Sequence, residues 1–307
     1  MTGAVVGRPA ITRTRLDPCA AAAMVVLCAS WAVQQAAVKI AIEGGLPPLW
    51  QAGLRSAGAA LLLFGWAVSR GDRSLWRLHD GTLGPGLIVA FLFAIEVALY
   101  FVGLAHTTAA RGVLFLYTAP FVVALGAHWF VPGEQLRLTD IAGLLVAFSG
   151  VAAAVAGGLA APAGHRTITG DMLVLAAAFL WGATTVLIKA TALARASAAK
   201  VTLYQLAGSA PVLLVLALLA ASPSTHPTEA AWLALLYQTV GVAFVSYLAW
   251  FALIARYPAG KLSVFTCLTP PLGALAGATL LGERISPSFA ASIALVTAGI
   301  WIANRKG

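Results

Sequence analysis

Charge is what this chain has least of. Only 9% of its 307 residues are Asp, Glu, Lys or Arg, against about 25% in a typical soluble domain. So little charge cannot cover an aqueous surface, and the apolar segments run nearly end to end. Cysteine is scarce as well. Of the three, Cys28 and Cys267 lie inside apolar runs and Cys19 at the edge of one, which argues against a disulfide framework. The five histidines (79, 106, 128, 165 and 226) are scattered. No His-Glu-x-x-His, Gly-x-Ser-x-Gly or Cys-x-x-Cys occurs, so metal and nucleophilic chemistry lack a constellation. No Gly-x-x-x-x-Gly-Lys-Ser/Thr is present to serve an energised pump. No catalytic residue, metal or cofactor is expected. The rival readings are an integral membrane enzyme and a receptor or scaffold without transport.

What is present is apolar: 61% of residues are hydrophobic and the mean hydropathy is +0.92. The net charge of +9 sits in short loops, where it sets membrane orientation rather than binding nucleic acid. Arg8, Arg13 and Arg15 precede a long alanine-rich run that reads as an uncleaved first span. A spanning helix needs roughly 20 apolar residues. Ten such candidates emerge, near 18–40, 48–69, 84–105, 111–131, 138–158, 170–190, 199–221, 229–255, 259–281 and 287–304. The expected fold is all-α and integral to the membrane.

The chain also repeats itself at a distance of about 150 residues. Tyr100-Phe101-Val102-Gly103-Leu104-Ala105 returns as Trp250-Phe251-Ala252-Leu253-Ile254-Ala255. Pro120 answers to Pro270, Gly133-Glu134 to Gly282-Glu283, Trp31 and Lys39 to Trp181 and Lys189. Residues 1–158 form one expected five-helix repeat with a tail of about 1–17, 159–169 a linker, and 170–307 the second repeat. With the N-terminus inside, thirteen of the nineteen Lys and Arg fall in inner loops, three in outer loops and three within spans. Both termini are therefore expected in the cytoplasm. Five spans per repeat is odd, so the halves must insert in opposite senses. The result is ten transmembrane helices as an inverted 5+5 repeat, a plan that frames a central site and suits alternating access.

Ten spans, paired prolines in spans four and nine, and the closing motifs Pro-Gly-Glu-Gln-Leu (132–136) and Leu-Gly-Glu-Arg-Ile (281–285) resemble the drug/metabolite transporter superfamily, EamA-type branch. The resemblance implies a multi-pass carrier of the inner (plasma) membrane, usually an exporter of amino acids, related metabolites or amphiphilic compounds. It assigns no substrate.

Candidate substrate-facing residues come from the polar and aromatic groups within spans. Span one carries Trp31, Gln34 and Gln35, span two Gln51 and Arg55, span three Glu96 and Tyr100, span four Tyr117. Span six adds Trp181, span seven Gln205, and span eight Tyr247 and Trp250. Interhelical packing is the plain alternative for the aromatics and glutamines, and anchoring at headgroup depth is the better reading of Trp50, Trp76, Trp129 and Trp301.

Arg55 and Glu96 are the sharpest signal. Both fall roughly 11–14 Å deep in a core about 30 Å thick, where a lone charge costs at least about 2.5–3.5 kcal/mol. They are read either as a structural ion pair or as a site in which Arg55 meets a carboxylate and Glu96 an ammonium group or coupling proton. Pro120 and Pro270 are expected to kink spans four and nine, as fixed bends or as gating elements. Lys39 and Lys189, near span ends, are expected to snorkel. Glu134 and Glu283 are read as caps of the helices that follow them, or gates. Gly273 and Gly277 are read as a close-packing pair. Spans five and ten carry almost no polar groups and are read as lipid-facing supports or a subunit contact, which leaves a homodimer open. A small molecule and the bilayer are the expected partners.

Overall fold

The computed structural model of the chain describes residues 16–77, 79–107, 109–159, 164–220, 226–281 and 288–305. The N-terminal tail up to residue 15, residues 160–163 of the expected linker and the Gly282-Glu283 pair lie outside the described residues. All regular structure among the described residues is helical: α1 (Pro18–Glu43), α2 (Pro48–Ser69), α3 (Leu83–His106), α4 (Ala109–Leu116), α5 (Ala119–Phe130), α6 (Leu138–Leu159), α7 (His165–Ala190), α8 (Ala198–Leu219), α9 (Glu229–Tyr237), α10 (Tyr247–Ile254), α11 (Ala259–Thr266), α12 (Thr269–Leu281) and α13 (Phe289–Asn304). Seven stretches among the described residues are long and apolar enough to cross a membrane. α6 and α13 are shorter in their apolar run, and the ninth expected span is interrupted between α11 and α12. α7 begins at His165, inside the expected linker.

Local chemistry sets the ends of these helices. Asp17 accepts a hydrogen bond from Ala20 N at 2.8 Å, with Pro18 in the first turn where its missing N–H costs nothing. Ser197 and Thr228 cap α8 and α9 in the same way. α1 and α2 both stop on glycine. Gly45 (φ +89°) and Gly71 (φ +68°) take the left-handed conformation that L side chains resist. Each closes its helix with a six-to-one bond, Leu46 N to Ala41 O and Asp72 N to Ala67 O, the Schellman arrangement.

Both proline-bearing spans break just before the proline. α4 stops at Leu116 and α5 starts at Ala119, while α11 stops at Thr266 and α12 starts at Thr269. Placing Pro120 and Pro270 in a first turn avoids the bond that an interior proline would lose. Span eight departs from its repeat mate. Between α9 and α10, Gln238–Ser246 is π-helical, whereas α3 is α-helical throughout. Long π segments are rare and concentrate at functional sites.

The helices pack in reciprocal pairs. α2 lies on α8 and α6 on α13, while α3 meets α7 as α9 meets α1, and α5 meets α7 as α12 meets α1. Small residues set the closest approach. A Cβ on Gly299 would come within 2.4 Å of Ala147 N, and one on Gly143 within 2.6 Å of Ala303 N. The small-residue faces of α6 and α13 are thus occupied by each other. Nothing lies within 4 Å of the Cβ position at Gly273, so the close packing expected of it is not found there, while Gly277 lies outside the described side chains. Outward-facing Leu61, Leu87, Phe91, Phe179, Leu218 and Leu233 are exposed, an extent of bare apolar surface that water does not tolerate.

Candidate binding cavity

Between the two halves lies a cavity in which about 100 Å³ is open to the centres of water-sized molecules. Its walls come from both repeats. Trp31, Gln34 and Gln35 enter from α1, Arg55 from α2, Glu96 and Tyr100 from α3. Tyr117 enters from the α4–α5 break, Trp181 from α7, Gln205 from α8, and Tyr247 and Trp250 from α10. Eleven of the twelve residues singled out in the sequence therefore border one space. Gln51 does not. It is fully buried, donates to Leu46 O at 2.8 Å and accepts from Gln238 Nε2 at 3.2 Å, so its amide is consumed in joining α2 to span eight.

The aromatic walls are ordered by edge-to-face contacts. Trp31 and Trp250 have ring centroids 5.5 Å apart at 75°, and Tyr117 and Trp181 6.2 Å apart at 87°. This is the arrangement that the ring quadrupole prefers. Trp31 Nε1 donates to Ser246 Oγ at 2.9 Å, and Tyr100 Oη donates to Gln35 Oε1 at 2.6 Å. Trp31 and Tyr100 thus have fixed polar edges.

The charges are arranged differently. Arg55 is 1% exposed, and its guanidinium carbon lies 5.3 Å from the Phe101 ring centre and 5.8 Å from that of Tyr247, within cation–π range. No ion pair or hydrogen bond connects it to Glu96. Arg55 Nε and Glu96 Oε2 are both buried with no hydrogen-bond partner within the protein. Unsatisfied buried polar groups are rare in native structures and call for an explanation. Here both border the same cavity. Gln205 Oε1 and Thr184 Oγ1, also on its wall, lack partners too.

A family model described as the EamA-like transporter family matches the chain twice, over residues 19–156 and 168–305. The chain belongs to that family. It is similar to the "Probable amino-acid metabolite efflux pump" of Salmonella typhimurium, at 29% identity over 89% of this chain and 90% of the relative. It is likewise similar to the "Probable terminal-alkyne amino-acid exporter" of Streptantibioticus cattleyicolor, at 29% identity over 92% and 93%. A solved crystal structure at 21% identity superposes with a TM-score of 0.77 over 92% of this chain and 94% of that one, which shows a shared fold. The EamA chain is a multi-pass membrane transporter and not an enzyme.

Around the cavity, this EamA chain holds features that its sequence did not disclose. Lys189 does not snorkel. It is 6% exposed, donates to Tyr257 O at 2.8 Å and pairs with Glu134 Oε1 at 2.9 Å. Glu134 in turn accepts from Ala259 N at 2.7 Å, so it caps α11, in the opposite repeat, rather than the helix that follows it. A carboxylate suits that position, since the first amides of a helix are unsatisfied and carry partial positive charge. Arg111 and Asp171 form a further ion pair, and Thr107 donates to the same carboxylate at 2.6 Å. Phe93, Val97, Leu116 and Phe251 also line the cavity. The α3 members could have been found, because Phe93, Glu96, Val97 and Tyr100 fall at the three- and four-residue spacing of one helix face.

Proposed function

We propose that this EamA transporter exports small amphiphilic amino-acid-type metabolites by alternating access between two inverted five-helix repeats. It would sit in the inner (plasma) membrane with both termini cytoplasmic and lipid around its apolar surface. One observation carries this reading: two opposite charges border one aromatic-walled cavity and are not paired with each other. A zwitterion satisfies both at once, its carboxylate on Arg55 and its ammonium group on Glu96. An apolar side chain then fits against Trp31, Tyr117, Trp181 and Trp250, which also offer faces to a cation. Export of amino-acid compounds is named for two relatives, which supports the substrate class. Glu96, as a carboxylate in the cavity wall, is also the proposed carrier of a coupling proton. Pro120 and Pro270 belong to the gating part of the proposal, because the breaks before them give each span two rigid pieces. The inverted arrangement is supported by the reciprocal helix pairing and by the double match of the family model.

The test is counterflow of labelled amino acids in proteoliposomes, run across zwitterions of graded side-chain size. Trp31→Ala, Tyr100→Ala, Trp181→Ala and Trp250→Ala are expected to abolish most counterflow at normal abundance. Trp76 and Trp301 are 67% and 58% exposed, and their alanine variants are expected to retain it. Equal loss in both groups would return these rings to packing and anchoring.

A further inference from the structure

A second cavity, of about 190 Å³, lies beside the first. Its walls are Lys189, Leu193, Arg195, Val201 and Ile254 among others, and it sits against the turn at 191–197. One residue borders both cavities, Phe251. Its ring is 6% exposed. On one side of it are the aromatic rings and the two unpaired charges. On the other is a mixed compartment, apolar along α8 and α10 and bordered also by Arg195 and by Lys189, whose charge Glu134 balances.

The mounting of Phe251 differs from that of the rest of the wall. It stands on α10, a piece of eight residues. Upstream, α10 continues directly from the π-helical segment ending at Ser246. Downstream, the chain turns at Tyr257, whose carbonyl is held by Lys189, whose hydroxyl donates to Asp17 Oδ2 at 2.8 Å, and which adjoins the Glu134-capped start of α11. A short piece set between a wide-turned helix and an ion pair is bounded at both ends by the kind of element terminus at which hinge motions are taken up.

We propose that Phe251 is the gate between the central cavity and this second cavity, which serves as the loading vestibule on the arginine-rich face, with Lys189–Glu134 as its latch. The inference rests on the central cavity being the transport site. With the latch open, Lys189 offers a substrate carboxylate a cation beside apolar walls, the two chemistries that the substrate meets inside. The vestibule therefore admits amphiphilic anions and zwitterions, and the ring blocks passage while the latch is closed. Phe101, the repeat mate of Phe251, is fully buried beneath Arg55, so in this structure the gating role falls to one member of the pair.

The experiment uses the full chain with its native cysteines replaced and Thr184→Cys placed in the central cavity. An impermeant maleimide is applied from the arginine-rich face in inside-out vesicles. Phe251→Ala is expected to speed labelling severalfold, while Phe91→Ala, an exposed ring that borders neither cavity, leaves the rate unchanged. No acceleration in a monodisperse Phe251→Ala protein, or equal acceleration by Phe91→Ala, overturns the gate. Should Phe251→Ala not fold, Phe251→Trp must slow labelling below the parent, and an unchanged rate counts against the proposal. Phenylalanine, as a probe zwitterion, is added in a parallel arm. Failure of phenylalanine to protect Thr184→Cys, with the Phe251 effect intact, strikes the proposed substrate class and leaves the gate standing.

Discussion

Arg55 and Glu96 look into one cavity from neighbouring helices, and no ion pair joins them. An unpaired charge away from water is costly, and in the proposed reading a substrate that carries both charges supplies each with its partner.

Removal of either charge is therefore expected to cost transport rather than to be rescued by removal of the other. A hydrogen bond to a charged group contributes about 1.5–3 kcal/mol, so Arg55→Gln and Glu96→Gln should each weaken substrate affinity about tenfold to about a hundredfold. The double variant should remain inactive, and Glu96→Gln should flatten the dependence of transport on pH. Proteoliposome uptake at several pH values reads both effects. A double variant transporting at the parent rate, with unchanged pH dependence, would make the two residues scaffold.

Membrane orientation can be read with single cysteines at exposed positions. Gly164→Cys has no neighbour within 4 Å of its new Cβ and, with His226→Cys, should react with an impermeant thiol reagent applied to intact cells. His79→Cys and Arg256→Cys, also exposed, should react only after the membrane is opened. The reverse pattern would put both termini outside, and a split within either pair contradicts the inverted-repeat plan.

Gly299→Ala adds a methyl group where Ala147 N and Gly143 O already stand within 2.5 Å. Overpacking of this kind costs about 1–3 kcal/mol, so the thermal midpoint in detergent should fall. Gly65 has open space around its Cβ position, and Gly65→Ala should leave the midpoint unchanged or raise it by the backbone entropy that alanine saves, about 0.5–1 kcal/mol. Equal behaviour of the two variants would remove the steric account of the α6–α13 contact.

Lys200, in the first turn of α8, fastens the loop ahead of α3 in a pH-dependent way through Asp80, which lies outside the spans. Its Nζ donates to Asp80 Oδ2 at 2.7 Å and to Arg77 O at 2.6 Å. The lysine hydrogen bond, with help from Thr82, holds the Asp80 carboxyl down at about 2 against an ordinary 3.8. A depressed folded value means that the stabilisation is complete above the unfolded value and is lost as pH falls through the folded one. Asp80→Asn should thus lower the melting midpoint at neutral pH, and the gap from the parent should close as pH falls from about 4 towards 2. A gap independent of pH would mean that the asparagine acts through packing.

Much of the site was legible because spacing and repetition are properties of the chain itself. Trp31, Gln34 and Gln35 share a helix face by their intervals, and the depths of Arg55 and Glu96 follow from counting residues from span ends. What stayed hidden depends on which distant surface each residue meets. Gln51 sits one turn from Arg55, yet its amide is taken up by Leu46 and Gln238, a choice that no periodicity records. Lys189 reads as a span-end lysine until Glu134 and Tyr257 are brought to it across the halves. Gly143 and Gly299 are ordinary glycines in bland spans until each is found against the other's backbone. The π-helical turn has no residue signature, since its repeat mate in α3 winds normally.

That turn has a bearing on how the chain tolerates changes of length. A π segment is in general an α-helix that has accommodated an extra residue, and each residue in an α-helix advances the side chains by about 100°. Deleting one residue from α3 ahead of Phe93 would rotate the stretch before the cut against the one after it and carry Phe93, Glu96 and Tyr100 out of alignment with their neighbours. Deleting one residue between Gln238 and Ser246 instead lets the helix rewind to the ordinary pitch, with Tyr247, Trp250 and Phe251 still turned towards the interior. Span eight can shed a residue where span three cannot, so insertions and deletions among relatives should gather there.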